Sequence, residues 1–119
     1  MEDTLIRILE DMGYEVYRQG SMTDDTEYPA HFFTFWNNAS EETRFYDNKA
    51  TAEEFDFDVN FYSTDPAETY EVIRSAKKKL RDNGFIIYDS GHDVGSDQPS
   101  HTGRGIGVIY VEDIKNERY

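Results

Sequence analysis

At 119 residues the chain is long enough for one domain with a real core and too short for two. Its net charge of −13, from 12 basic and 25 acidic residues, sets it against phosphate backbones and anionic membrane surfaces. There is no cysteine, so disulfides, thiolate catalysis and Cys-ligated zinc are excluded.

The start, Met1-Glu2-Asp3, is acidic where a signal peptide needs a basic start and an apolar core. No run of residues approaches the apolar length of a membrane span. Aromatic residues make up 15% of the chain, a load that suggests ring packing in a sheet or at an interface.

Leu5, Ile6, Ile8, Leu9 and Met12 fall on one helical face, with Asp3 or Thr4 as the expected cap and Gly13 as the stop. Tyr14 to Arg18 alternates like a short strand. From Gln19 to Ala30 no period survives, and the segment reads as loop. His31 to Asn37 is β-prone, with Phe33 and Phe35 on one face and Phe32, Thr34 and Trp36 on the other. Both faces are apolar, so this strand is expected to be covered twice or to meet a partner.

Asn38 to Glu54 reads as a polar connection, too long for a tight hairpin turn. Phe55 to Ser63 has the clearest period of two: Phe55, Phe57, Val59 and Phe61 against Asp56, Asp58, Asn60 and Tyr62. An antiparallel pair between 31–37 and 55–63 is expected.

Asp65, Pro66 and Glu68 form a helix start: a cap, a proline in the first turn, and an acid three residues past the cap. The inner stripe is read as Tyr70, Ile73, Ala76, Lys77 and Leu80. Lys77, Lys78, Lys79 and Arg81 oppose the negative end of the helix dipole, and Asn83-Gly84 closes the helix. Phe85 to Tyr88 reads as a strand. A long polar loop follows, then a final strand at Gly107 to Glu112, and 113–119 is expected to fray. The whole is one α+β domain, order α-β-β-β-α-β-β. Its sheet has four to five antiparallel or mixed strands, with two helices packed on one face.

The segment from Asp89 to Arg104 concentrates the polar chemistry. His92, Asp93, Asp97 and His101 are ligand types, but their spacing fits no strict metal motif. Ser96 and Ser100 lie near His101 without a nucleophile elbow. Gly103, Gly105 and Gly107 precede a strand, the reverse of a dinucleotide-binding loop, and read as easing the chain into an edge or bulged strand. No enzyme activity, cofactor or metal is expected. The candidate contact residues are His92, Asp93, Ser96, Asp97, His101, Thr102 and Arg104, with Phe32 and Trp36. Arg104 is the preferred one, as a lone cation among acids.

The run F-D-F-D-V-N-F-Y-S-T-D-P, then a helix, then N-G-F-I-I, then S-D-Q-P-S-H-T-G-R-G-I resembles a small structural protein of the head–tail region of Gram-positive siphophages and prophages. The resemblance covers about His31 to Glu112. The element order is also similar to tail-terminator and tail-completion proteins. It implies a non-enzymatic virion component that forms a ring, perhaps a hexamer, at the end of the tail tube. The implied partners are its own copies and neighbouring tail-tube or head-connector proteins, with host cytoplasm as the place of assembly. Neither sequence-specific nucleic-acid binding nor membrane binding is expected. Two other readings remain open: a small metal- or ligand-dependent enzyme using the 89–104 loop, and an acidic adaptor or inhibitor that imitates nucleic acid.

Overall fold

A computed structural model describes residues 1–19, 28–46, 49–96 and 98–113, with the side chains of 39–46, 49–51 and 113 outside that description. The expected loop residues 20–27, Asp97 and the tail 114–119 therefore lie outside the described residues. The elements are α1 (Glu2–Glu10), β1 (Glu15–Arg18), β2 (His31–Tyr46), β3 (Lys49–Ser63), α2 (Pro66–Asp82), β4 (Ile86–Val94) and β5 (Thr102–Asp113). They form an α+β fold with one five-stranded mixed sheet, order β1-β2-β3-β5-β4. Only the β1–β2 pair is parallel.

Strand β3 is the axis of the sheet. Its period of two puts Phe57, Val59 and Phe61 on one face, each fully buried. Phe33 and Phe35 of β2 and Ile106 and Val108 of β5 share that face. Leu5, Ile8 and Leu9 of α1 and Val72, Ile73, Ala76 and Leu80 of α2 cover it. Each such leucine, isoleucine, valine or phenylalanine contributes about 1.5–3 kcal/mol by leaving water, so these two helices hold one side of the sheet firmly. The expected antiparallel pair is present: Phe33 lies opposite Phe61 and Phe35 opposite Val59.

Helix α2 starts as its sequence dictates. Asp65 is extended, and its side chain accepts from the Ala67 amide at 3.0 Å. The inner stripe differs in detail. Thr69 and Val72 are buried, whereas Tyr70 is 45% exposed at the edge of the helix. In α1 the cap position is Met1, without a side-chain hydrogen bond, so Asp3 and Thr4 lie inside the helix. Glu2 and Asp3, both acidic and in the first turn, still suit its positive end.

Four strands, β2, β3, β4 and β5, are longer than their hydrophobic patterns. Residues expected to form a polar connection from Asn38 to Glu54 instead extend β2 and β3 into one hairpin, paired out to Tyr46 and Lys49. The residues there are polar and carry no apolar alternation, but the backbone ladder continues from the core outward. A bulge between Asn37 and Ala39 shifts the register on the way. The arm stretches the domain to 54 Å, with a radius of gyration of 16.0 Å, where a compact chain of this length would have about 13–14 Å.

The expected 89–104 loop is also mostly strand. β4 runs to Val94 and β5 begins at Thr102. β5 is an interior strand between β3 and β4, so its glycines do not ease the chain into an edge.

Candidate functional site

The two helices share one side of the sheet. The other side is covered by no helix or strand among the described residues. It is the candidate functional surface, and its chemistry changes from one end to the other.

At the end where β2 begins, Phe32 is buried by rings. Tyr17 and Tyr28 meet it edge-on at 6.1 and 5.6 Å, and Tyr62 stacks at 5.2 Å. His101 meets the same ring at 5.8 Å. Its Nε2 lies 2.8 Å from the Pro29 carbonyl oxygen, which fixes that nitrogen as the protonated one. His101 thereby pins the short 95–101 connection onto the sheet.

The middle of the surface is made by glycines. Gly103, Gly105 and Gly107 alternate along β5, so all three face the bare side. A Cβ at Gly103 would stand 2.7 Å from both Tyr62 and Val94. At Gly105 it would strike Asn60 and come within 3.0 Å of His92, and at Gly107 it would come within 2.5 Å of the Tyr88 ring. The glycines form a trough into which side chains of β3 and β4 lie down, as aromatic rings do over sheet glycines elsewhere. The face is flattened as a result.

The far end holds a row of acids. Glu54, Asp56 and Asp58 follow one another on the bare side of β3, about 6–7 Å apart by strand geometry. No Lys or Arg among the described residues pairs with them. Around the row stand Trp36 of β2, Ile86 and Tyr88 of β4 and Val111 of β5, all large and all between 37% and 58% exposed. Tyr88 donates to Asp56 at 2.7 Å. Burial, together with the Asp56, Asp58 and Asp89 charges, holds its hydroxyl well above the usual tyrosine range.

The residues expected to act together are divided between the two faces. Phe32, Trp36, His92 and His101 belong to the bare side. Asp93 and Arg104 point to the helix side. There the Arg104 guanidinium donates to Asp93 at 3.0 Å and lies 5.2 Å over the Tyr70 ring. Arg104 is therefore committed inside the chain and is not a free cation, because β5 is interior and its even positions face α2. His92 Nδ1 sits 2.8 Å from Asp89. Ser96 accepts from the Gln98 amide in a local turn, and the Thr102 carbonyl accepts from Thr69. Asp97 lies outside the described residues. Among the described residues no group of three or more His or acidic side chains is placed to hold a metal.

A second cluster escaped the sequence reading because its members are far apart in the chain. His31 Nδ1 lies 2.7 Å from Ser63 Oγ and 3.2 Å from a Glu68 oxygen, while Tyr14 donates to Glu68 at 2.9 Å. Serine and carboxylate meet the same imidazole nitrogen, whereas a nucleophile relay needs them on opposite nitrogens. Ser63 is also fully buried and accepts from the Asp65 amide. The cluster ties β1, β2, β3 and α2 together. Ile86, Tyr88, Val111 and Glu54 were missed as surface residues. Their signal was their shared alternation with Trp36 and Asp58 once the pairing of β3, β5 and β4 is known.

No family model matches the chain, and no curated protein is similar to it in sequence. The surface itself must carry the functional reading.

Proposed function

We propose that this protein is a non-enzymatic structural subunit of a siphophage or prophage virion, a tail-terminator or tail-completion component that forms a ring at the end of the tail tube. The observation that carries the reading is the bare sheet face. Among the described residues the five-stranded sheet carries helices on one side only, which leaves Trp36, Ile86, Tyr88 and Val111 in water. Clustered exposed apolar side chains of this kind are a feature of protein contact surfaces. The described residues of 89–104 divide between two faces and do not converge on a point where a reacting group could sit, which favours contact over catalysis. The resemblance of His31 to Glu112 to head–tail proteins supplies the kind of assembly.

The test is deletion of the gene from the phage or prophage, with the lysate examined by electron microscopy. Heads and tails that fail to join, or tails of uncontrolled length, are expected. Normal infectious particles from the deletion would sink the reading.

A further inference from the structure

Among the described residues the carboxylate row on β3 has no counter-charge, and the same chain carries a cationic stripe on its other side. Between Arg74 and Arg81, α2 has five cations and no acid. Arg74, Lys78 and Arg81 lie on the outward arc, opposite the buried stripe of Thr69, Val72, Ile73, Ala76 and Leu80. Arg74 and Arg81 pair with no acid among the described residues, and Lys78 has only the exposed Asp82 one turn on. Glu71 and Asp82 share the outward arc at its two ends, so Arg74, Lys78 and Arg81 form a cationic stretch between them.

We infer that the cationic stripe of α2 in one copy docks along the carboxylate row of a second copy, with Trp36 and Tyr88 closing against the helix on either side. This rests on the proposed assembly role and names its contact. The spacings agree. Arg74 and Lys78 are about 6 Å apart along the helix axis. Glu54, Asp56 and Asp58 repeat every 6–7 Å or so along the strand. The flattening by Gly103, Gly105 and Gly107 leaves room for a helix to lie on the face. A second copy is the occupant because the complementary charge is on this chain, in an otherwise strongly acidic protein. The two surfaces lie on opposite sides of the domain, so one contact cannot close on itself. Each copy offers a helix to one neighbour and a sheet to the other, which is the head-to-tail arrangement that builds rings.

Two variants test the contact. The helix-reversed chain carries Arg74→Glu and Arg81→Glu. The sheet-reversed chain carries Glu54→Lys and Asp58→Lys, and it leaves the Tyr88–Asp56 hydrogen bond in place. Thermal melts establish that both fold. Sedimentation over a concentration series then follows association of the wild type, each variant alone, and an equal mixture. The wild type is expected to associate and each variant to stay monomeric. The mixture should associate again, because acidic helix meets basic sheet and basic helix meets acidic sheet in alternation. In wild-type complexes a zero-length carbodiimide should link Lys78 to Asp56 or Asp58 of another copy.

Variants that associate like the wild type would overturn this contact and leave the ring reading standing. A mixture that stays monomeric would overturn it too. A wild type that never associates, in solution or on tail tubes, would remove both.

Discussion

Tyr88 reaches across the interior strand β5 to donate its hydroxyl to Asp56 on β3, at 2.7 Å, with its ring lying where a side chain at position 107 would otherwise stand. One interaction thus joins an edge strand to the sheet axis over the top of the strand between them. It depends on three things the sequence holds far apart: a tyrosine on β4, an aspartate on β3 and a glycine on β5.

That dependence is testable at the glycines. Gly107→Ala should displace the Tyr88 ring and Gly105→Ala should drive into Asn60 and His92, each costing about 1–3 kcal/mol as an overpacked site. Gly95→Ala has open space and a compatible backbone, so little change is expected. Urea denaturation of the three variants gives the comparison. Equal stability for all three would mean that the trough is not packed as described.

Phe57→Ala or Phe61→Ala should cost about 3–5 kcal/mol, because each ring is fully buried among both helices and three strands. Asp58→Asn, on the opposite face and without an ion pair among the described residues, should cost little. The inverse ranking in chemical denaturation would place the strand one residue out of register and exchange its faces.

Thr34 is buried on the bare side, and its hydroxyl has no hydrogen-bond partner among the described residues. A stranded polar group of this kind costs about 1–3 kcal/mol. Thr34→Val removes the hydroxyl and keeps the branched shape, so the variant is expected to match or exceed the wild type in melting temperature. A clear loss of stability would show that the hydroxyl is used in the protein in solution.

The pH dependence follows from the tyrosines. Burial and the Glu68 carboxylate raise Tyr14, and burial and Asp56 raise Tyr88, above the ordinary value of about 10. The folded protein then holds these protons more tightly than the unfolded chain does. The stabilisation is complete below about pH 10 and is lost as pH climbs toward the raised folded values. Denaturation midpoints measured from pH 8 to 11 should fall, and fall less steeply in Tyr88→Phe. An unchanged slope in that variant would exclude Tyr88 as a source.

Much of this architecture was legible where local chemistry decides local structure. Asp65 and Pro66 announce α2, and the alternation of Phe55 to Tyr62 announces both faces of β3. The arm formed by β2 and β3 was not legible. From Asn38 to Glu54 the strands are held by backbone pairing, and polar residues leave no periodic trace of it. Asp47-Asn48 also lacks the glycine that usually marks a two-residue hairpin connection. The role of Arg104 was hidden for a different reason. Its charge is visible in the sequence, but its direction depends on β5 lying between β3 and β4, which is set by contacts distant in the chain. The same applies to Gly103, Gly105 and Gly107, whose purpose appears only beside Tyr62, His92 and Tyr88.

The strand order has a kinetic consequence. β2 with β3, and β4 with β5, are neighbours in sequence and can each zip from a short connection. The seam between β3 and β5 cannot, since it joins Ser63 to Thr102 and Ala52 to Asp113 with all of α2 in between. Closing that seam carries the loop entropy of the fold, and α2 must already lie across it for the closure to bury the central phenylalanines. Folding is therefore expected to be limited by the meeting of two preformed halves. Substitutions along the β3–β5 seam should slow folding, while those at the outer strands should mainly hasten unfolding.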